Sequence, residues 1–108
     1  MTDEGVWTQL QEPTRNEKVA VITSSSVIAE ARNRDSPRKV INIRNISDAA
    51  ADIITVNIGF NQATSENGIV LKQNESFSDS SETGYSCHQG AITAICATAN
   101  GELAIFER

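Results

Sequence analysis

The sequence predicts an all-β fold, and its side-chain composition is the first observation that indicates this. Among the 108 residues, isoleucine occurs twelve times, valine seven times and threonine nine times, whereas leucine occurs only three times. Branching at Cβ favours the pleated sheet and restricts side-chain rotamers in a helix. Nine asparagines, eleven serines and six glycines supply the residue types that turns require. We therefore expect short strands joined by turns rather than a helical bundle.

The alternation of apolar and polar residues is the second observation, and it is clearest in two segments. In residues 40–45, Ile41 and Ile43 share one face of the predicted strand. Residues 53–59 predict an inward face of Ile54, Val56 and Ile58 and an outward face of Thr55 and Asn57. A period of two residues is typical of antiparallel strands with one buried face.

Further strands are predicted from short apolar runs and from the turn residues between them. The predicted runs are residues 19–23, 27–31, 68–72, 75–78, 91–97 and 102–107. Asn100-Gly101 predicts a type I′ hairpin turn, and Gln73-Asn74 predicts either a hairpin or a sharp corner. Eight short strands with turn signals about every 8–12 residues are typical of a two-sheet sandwich or a small barrel.

Residues 1–18 differ from the rest of the chain and are interpreted as an extended N-terminal arm, followed by a β-sandwich domain at residues 19–108. The arm shows neither strand nor helix periodicity, and it places Trp7 and Leu10 among polar residues. One interpretation is a frayed terminus. The other is an arm that docks Trp7 on a neighbouring chain, because large aromatic side chains are typical anchors of protein interfaces.

The charge balance and the apolar segments argue against two classes of partner. The net charge is −5, from fourteen acidic and nine basic residues, which is unfavourable for binding the phosphate backbone of nucleic acids. No segment approaches the roughly 20 apolar residues of a membrane helix. The first residues, 1–4, lack the basic and apolar regions of a secretory signal. We expect neither a nucleic-acid partner nor a membrane partner.

No pattern of reactive residues predicts catalysis or cofactor binding. His88 is the only histidine, whereas metal sites of jelly-roll enzymes need several ligands of this kind. Neighbours on a strand point to opposite faces, so Cys87 and His88 are poorly placed for a Cys–His dyad. Cys87 and Cys96 form no CxxC pair, and in a reducing cytoplasm both are expected to be free thiols. The chain is predicted to be non-enzymatic, with no metal and no cofactor.

A basic loop precedes the strand predicted at residues 40–45. Arg32, Arg34, Arg38 and Lys39 are four of the nine cations of the chain. The loop is either a solubilising edge that blocks sheet-to-sheet aggregation or a docking patch for an acidic protein surface. No aromatic residues alternate with these cations, which disfavours stacking on nucleic-acid bases.

Motifs between residues 38 and 108 resemble a pattern found in small virion proteins of tailed bacteriophages. They are Ile43-Arg44-Asn45-Ile46-Ser47, Gly68-Ile69-Val70-Leu71, Glu75-Ser76-Phe77, Gly90-Ala91-Ile92-Thr93-Ala94-Ile95 and Gly101-Glu102-Leu103-Ala104-Ile105-Phe106-Glu107. The chain is similar to the jelly-roll cement or decoration proteins that sit outside a phage capsid. The resemblance implies a jelly-roll-like sandwich, a homo-oligomer (a trimer is favoured), the major capsid protein as partner, and a virion assembled in the host cytoplasm.

The expected function is therefore a structural one, in which the protein binds the capsid surface and stabilises contacts between capsomers. The residues predicted to bind a partner are Trp7, Leu10, Arg32, Arg34, Arg38 and Lys39. The alternative is a head-fibre, tail or receptor-binding module that recognises a glycan. Glycan sites usually expose several aromatic side chains, and this chain has one tryptophan, one tyrosine and three phenylalanines.

Overall fold

Eight β-strands make up the regular structure of the described residues. A computed structural model describes residues 14–32, 34–59, 63–64, 67–81 and 87–108. The strands are β1 (Arg15–Val21), β2 (Ser26–Ala29), β3 (Val40–Asn45), β4 (Ile54–Ile58), β5 (Ile69–Leu71), β6 (Ser76–Ser80), β7 (Ile92–Cys96) and β8 (Gly101–Glu107). The described residues contain no helix long and apolar enough to cross a membrane. The all-β prediction is confirmed.

The strands form two four-stranded antiparallel sheets with jelly-roll topology. One sheet, the β8 sheet, has the order β1-β8-β3-β6, and the other, the β7 sheet, has the order β2-β7-β4-β5. Every connection between consecutive strands crosses from one sheet to the other, except the connection from β4 to β5. This is the double-sheet arrangement of two Greek keys. The predicted jelly-roll sandwich is therefore confirmed, and the small barrel is not formed.

The core lies between the sheets and is built from branched aliphatic side chains. The alternation predicted for β3 is confirmed, because Ile41 and Ile43 are fully buried. β8 alternates in the same way, with Leu103 and Ile105 fully buried. The fully buried core residues on the four central strands are Ile41, Ile43, Ile54, Val56, Ile92, Ala94, Leu103 and Ile105. Burial of such side chains contributes about 1.5–3 kcal/mol each for the larger ones. Both predicted free thiols, Cys87 and Cys96, are free and buried in this core.

The first strand begins earlier than predicted. β1 starts at Arg15, and all seven of its residues pair with β8, from Arg15 opposite Glu107 to Val21 opposite Gly101. Residues 15–18 of the predicted arm therefore belong to the β8 sheet. The apolar alternation did not reveal them because the inward positions at this end of β1 carry charged side chains. Trp7 and Leu10 lie outside the described residues.

The structure contradicts one predicted turn and decides between the two alternatives predicted for another. Asn100-Gly101 does not close a hairpin, because β7 and β8 belong to different sheets. Gln73-Asn74 forms the corner alternative, since β5 and β6 also lie in different sheets. Asn74 has a φ of 68°, a left-handed conformation that asparagine tolerates better than most residues. Turn residues predict a change of chain direction but not which sheet the next strand joins.

A methyl group at position 101 is expected to destabilise the protein. A Cβ built on Gly101 meets Cys96 Sγ at 2.6 Å and Val21 O at 2.8 Å. Gly101→Ala should therefore lower the free energy of unfolding by about 1–3 kcal/mol, as overpacked sites do, measured by urea denaturation. Gly59→Ala is the matched control, because a Cβ built on Gly59 comes no nearer than 3.5 Å, at Asn57 Oδ1, to the described residues. Equal stabilities of the two variants would contradict the close packing of Gly101.

Candidate functional site

The carboxylate of Glu107, the last residue of β8, is bound by three arginine side chains. Arg38 Nε donates to Oε2 at 2.6 Å, and Arg15 Nη1 donates to Oε1 at 3.3 Å. Arg32 Nη1 lies 3.3 Å from Oε2. The Glu107 side chain is only 5% exposed. We call Glu107 and these three arginines the Glu107 cluster.

Arg38 is the centre of this cluster and is fully buried. Besides its bond to Glu107, its guanidinium donates to three backbone carbonyls, those of His88 at 2.6 Å, Gly90 at 3.1 Å and Glu30 at 2.7 Å. The planar fork of arginine suits several acceptors at fixed angles. Arg38 therefore connects the end of β2, the segment before β7 and the end of β8. A buried cation with these partners is structural.

The structure divides the predicted basic docking patch into two parts. Arg32 and Arg38 turn inward to Glu107, and the Arg32 side chain is 14% exposed. Arg34 and Lys39 lie on the surface. The prediction that Arg38 meets a partner is wrong, because no part of its side chain reaches solvent. The sequence shows how many cations the loop carries, but it does not show which distant carboxylate pairs with Arg32 and Arg38 and so allows them to turn inward.

Glu107 and Arg15 are the members of the cluster that sequence reasoning missed. The signal for Glu107 was present, since its position continues the inward alternation of Leu103 and Ile105. An inward glutamate must find cationic partners, because a buried unpaired carboxylate costs several kcal/mol. Arg15 carries no comparable signal. It pairs with Glu107 only because β1 and β8 are neighbours in the sheet.

The arginines control the ionisation of Glu107. Burial alone would raise the pKa of the Glu107 carboxyl. The hydrogen bond and charge of Arg38, the hydrogen bond from Arg15 and the charge of Arg32 outweigh burial and hold this pKa below its ordinary value of 4.5. Glu107 is therefore ionised at neutral pH, and its charge stabilises the folded state.

The segment before β7 brings Cys87 and His88 close to Asp79 of β6. His88 N donates to Asp79 Oδ2 at 3.0 Å. Burial, followed by the charge and hydrogen bond of Asp79, raises the pKa of the Cys87 thiol to about 11. The thiol therefore keeps its proton at neutral pH, and a protonated thiol is a poor nucleophile. Within the described residues, no three His, Cys, Asp or Glu side chains form a group that could hold a metal ion.

The outer faces of the two sheets differ in polarity. The outer face of the β8 sheet carries Asn42 opposite Ser78 and Arg44 opposite Ser76, with the partly buried Phe106 beside Asn42. The outer face of the β7 sheet instead carries mostly β-branched residues, in the cross-strand pairs Val27–Thr93, Thr55–Ile95 and Thr55–Val70. A polar outer face is typical of a surface in water, whereas a β-branched one is typical of a surface that packs.

The connection between β4 and β5 covers one half of the β7-sheet outer face. Ala63 N donates to Thr93 Oγ1 at 2.9 Å, and Asn57 Nδ2 donates to the carbonyl of Asn67 at 3.3 Å. For this reason Asn57, predicted to face outward, does so but is only 7% exposed. Thr55 also faces outward and is only 5% exposed, flanked by Val70 and Ile95 on the neighbouring strands.

Among the described residues, the other half of this face forms an apolar depression of about 240 Å³, which we call the β7-face groove. It is lined by Ile53, Thr55, Val70, Ile95, Cys96 and Ala97. Val70 on its rim is 49% exposed. The large apolar side chains exposed in the described part of the chain are all aliphatic, which does not match the aromatic platform of a glycan site.

Removing the charge of Glu107 is expected to destabilise the fold strongly. Glu107→Gln leaves the buried Arg38 cation without its carboxylate, and breaking a buried pair in this way costs about 3–5 kcal/mol. Urea denaturation near pH 7 measures the loss. Glu102→Gln is the matched control in the same strand. Glu102 pairs with Lys18 at 3.6 Å in solvent, so its loss should cost at most about 1 kcal/mol. Similar losses in both variants would contradict a structural Glu107 cluster.

The contribution of Glu107 to stability is expected to depend on pH. Its folded-state pKa is depressed below 4.5, so its stabilisation is complete above that value and is lost as the pH falls through the folded-state pKa. The difference in unfolding free energy between the wild type and Glu107→Gln should therefore shrink between about pH 5 and about pH 3. Urea denaturation across this range tests it, and a constant difference would show that Glu107 does not titrate with a lowered pKa.

Comparisons with known proteins do not establish a family for this chain. No family model and no curated protein matches it. A solved structure of Bacillus endospore appendages, described as a novel family of disulfide-linked pili, is similar to it with a TM-score of 0.48 and 18% sequence identity. The similarity covers 90% of this chain and 85% of that chain. The resemblance to phage decoration proteins therefore rests on sequence motifs, and capsid binding is a proposal.

Proposed function

We propose that this protein is a non-enzymatic structural subunit, and specifically a decoration protein that binds the outside of a phage capsid and stabilises contacts between capsomers. The observation that carries this proposal is the way the basic loop is held. Arg32 and Arg38 anchor the loop to Glu107 inside the sandwich, while Arg34, between them in the chain, and Lys39, directly after Arg38, lie on the surface. The buried anchors thus hold the loop, and with it two exposed cations, in a fixed position on the sandwich.

A fixed pair of cations favours an acidic protein surface as the partner. The chain as a whole is acidic, with a net charge of −5, so the basic loop differs in sign from the chain that carries it. Complementary charges steer association and fix the orientation of the partners. Because the anchors are buried, binding would order few additional side chains, and the entropic cost of association would be correspondingly smaller. The major capsid protein is the partner that the sequence resemblance implies.

The exposed cations, rather than the buried ones, are expected to control capsid binding. The variant Arg34→Glu with Lys39→Glu should bind undecorated capsids at least about tenfold more weakly at low salt, with a smaller effect at high salt. The capsids are assembled from the major capsid protein encoded with this chain, and cosedimentation measures binding. Arg44→Glu with Lys72→Glu is the matched control, because both residues are exposed elsewhere and the net charge changes equally.

The wild-type protein should also raise the temperature at which these capsids open, measured by calorimetry. Failure of the wild type to bind or to stabilise the capsids would overturn the proposed function. Equal binding by both double variants would overturn the role of the basic loop. Specific binding on a glycan array, with no capsid binding, would favour the receptor-binding alternative.

A further inference from the structure

We propose that the β7-face groove binds the N-terminal segment around Trp7 from a second copy of this chain. This inference goes beyond capsid binding, because it concerns contacts between copies of the protein itself. It rests on the open apolar half of the β7-sheet outer face, on the position of the first strand and on the length of chain that precedes it.

The groove has the character of a site for one large apolar side chain. Ile53, Ile95 and Val70 line it together with the methyl-bearing Ala97. Its volume of about 240 Å³ exceeds the roughly 150 Å³ of an apolar cavity that binds benzene in another protein, so an indole ring fits. The neighbouring half of the same face is already covered by the chain's own residues around Ala63, which is 2% exposed. The face is therefore a packing surface that the described residues complete only in part.

The chain supplies an apolar side chain of the right kind outside the described residues. Trp7 is the only tryptophan, and it lies with Leu10 in a polar segment that precedes β1. Burying such a side chain removes 150–250 Å² of surface from water in typical proteins, about the largest contribution a single residue makes. Tryptophan is also among the residues that most often anchor interfaces.

The geometry of β1 directs this segment to another molecule. Arg15 begins β1 at the Glu107 end of the sandwich. The groove lies at the opposite end, where Cys96 N donates to Ile22 O just after β1. The six steps from Arg15 to Val21 span about 20 Å. Leu10 is five residues before Arg15 and reaches at most about 18 Å, so it falls short of the groove of its own chain.

Trp7 faces a longer surface path to its own groove. Eight residues from Arg15 reach at most about 29 Å. The segment would have to reverse direction, pass across the roughly 10 Å between the sheets and continue past β2 and β7. β1 lies on the β2 side of the sandwich, where Arg15 Nη2 donates to Ile28 O at 2.8 Å, whereas the groove lies over β4, β5 and β7. A fully extended segment would use almost its whole reach on this path and would have none left for the reversal, which favours a second copy as the occupant.

The single tryptophan makes the contact measurable in two ways. In the wild-type chain, the fluorescence emission of Trp7 should shift to the blue as the concentration rises, in parallel with association measured by light scattering. In the Trp7→Ala chain, which has no tryptophan, a peptide of residues 1–14 becomes the only source of this emission. Titration of that chain into the peptide should shift the peptide's emission to the blue and saturate.

Two valines of equal exposure provide the matched variants. Val70 on the groove and Val27 on the other edge strand of the same sheet are each 49% exposed. Val70→Asp in the Trp7→Ala chain should weaken peptide binding at least about tenfold, whereas Val27→Asp should leave it within about twofold. Circular dichroism melting of each variant establishes that the chain is folded at the temperature of the titration.

Several outcomes would overturn the inference. A blue-shifted emission that does not change with concentration in a monomeric chain would show that Trp7 docks within its own molecule. Absence of peptide binding to the folded Trp7→Ala chain, or equal weakening by both valine variants, would show that the groove is not the site. Because no capsid is present in these experiments, a failure here is distinguishable from a failure of the proposed function.

Discussion

The buried contact between Glu107 and three arginines holds the Glu107 end of the sandwich together. β8 is a central strand that pairs with both β1 and β3, so the residue that ends it lies where several segments meet. Desolvation of these charges is costly, and three carbonyls around Arg38 supply the hydrogen bonds that offset part of it. The backbone of Arg108 also joins this end of the sandwich to the basic loop and β3, through hydrogen bonds with Lys39 and Val40. The last residues of the chain thus fix the basic loop.

The local sequence pattern predicted the strands and their buried faces better than it predicted their partners. Ile41 and Ile43 in β3 are identified by a period of two, which depends only on neighbouring residues. The assignment of β7 and β8 to different sheets depends on contacts between distant segments, and turn residues such as Asn100 carry no information about them. The pair between Arg38 and Glu107 spans 69 residues. No local window contains both charges, so a cation count could not separate a buried arginine from an exposed one.

The large sequence separation between Glu107 and the loop also explains why some of the predicted docking residues are buried and others are exposed. Arg32, Arg34, Arg38 and Lys39 look equivalent in the sequence, yet burial is decided by which of them can reach Glu107. A guanidinium can be buried only where a carboxylate and several carbonyls converge. The loop satisfies this condition for Arg38 and, in part, for Arg32. Because the loop is anchored in this way, the exposed cations Arg34 and Lys39 have a defined position relative to the whole sandwich.

The proposed docking of the N-terminal segment on a second copy would constrain how copies of the chain assemble. Association carries a substantial entropic cost, so one buried indole is a weak interface by itself. If each copy gives its N-terminal segment to one neighbour and receives a segment from another, the contact is heterologous. Such a contact closes into a ring or continues as an open filament, depending on the rotation between copies. In a closed ring every groove is filled and every contact supports the next. Any closed ring satisfies this condition, and the trimer that the sequence resemblance implies is one such ring.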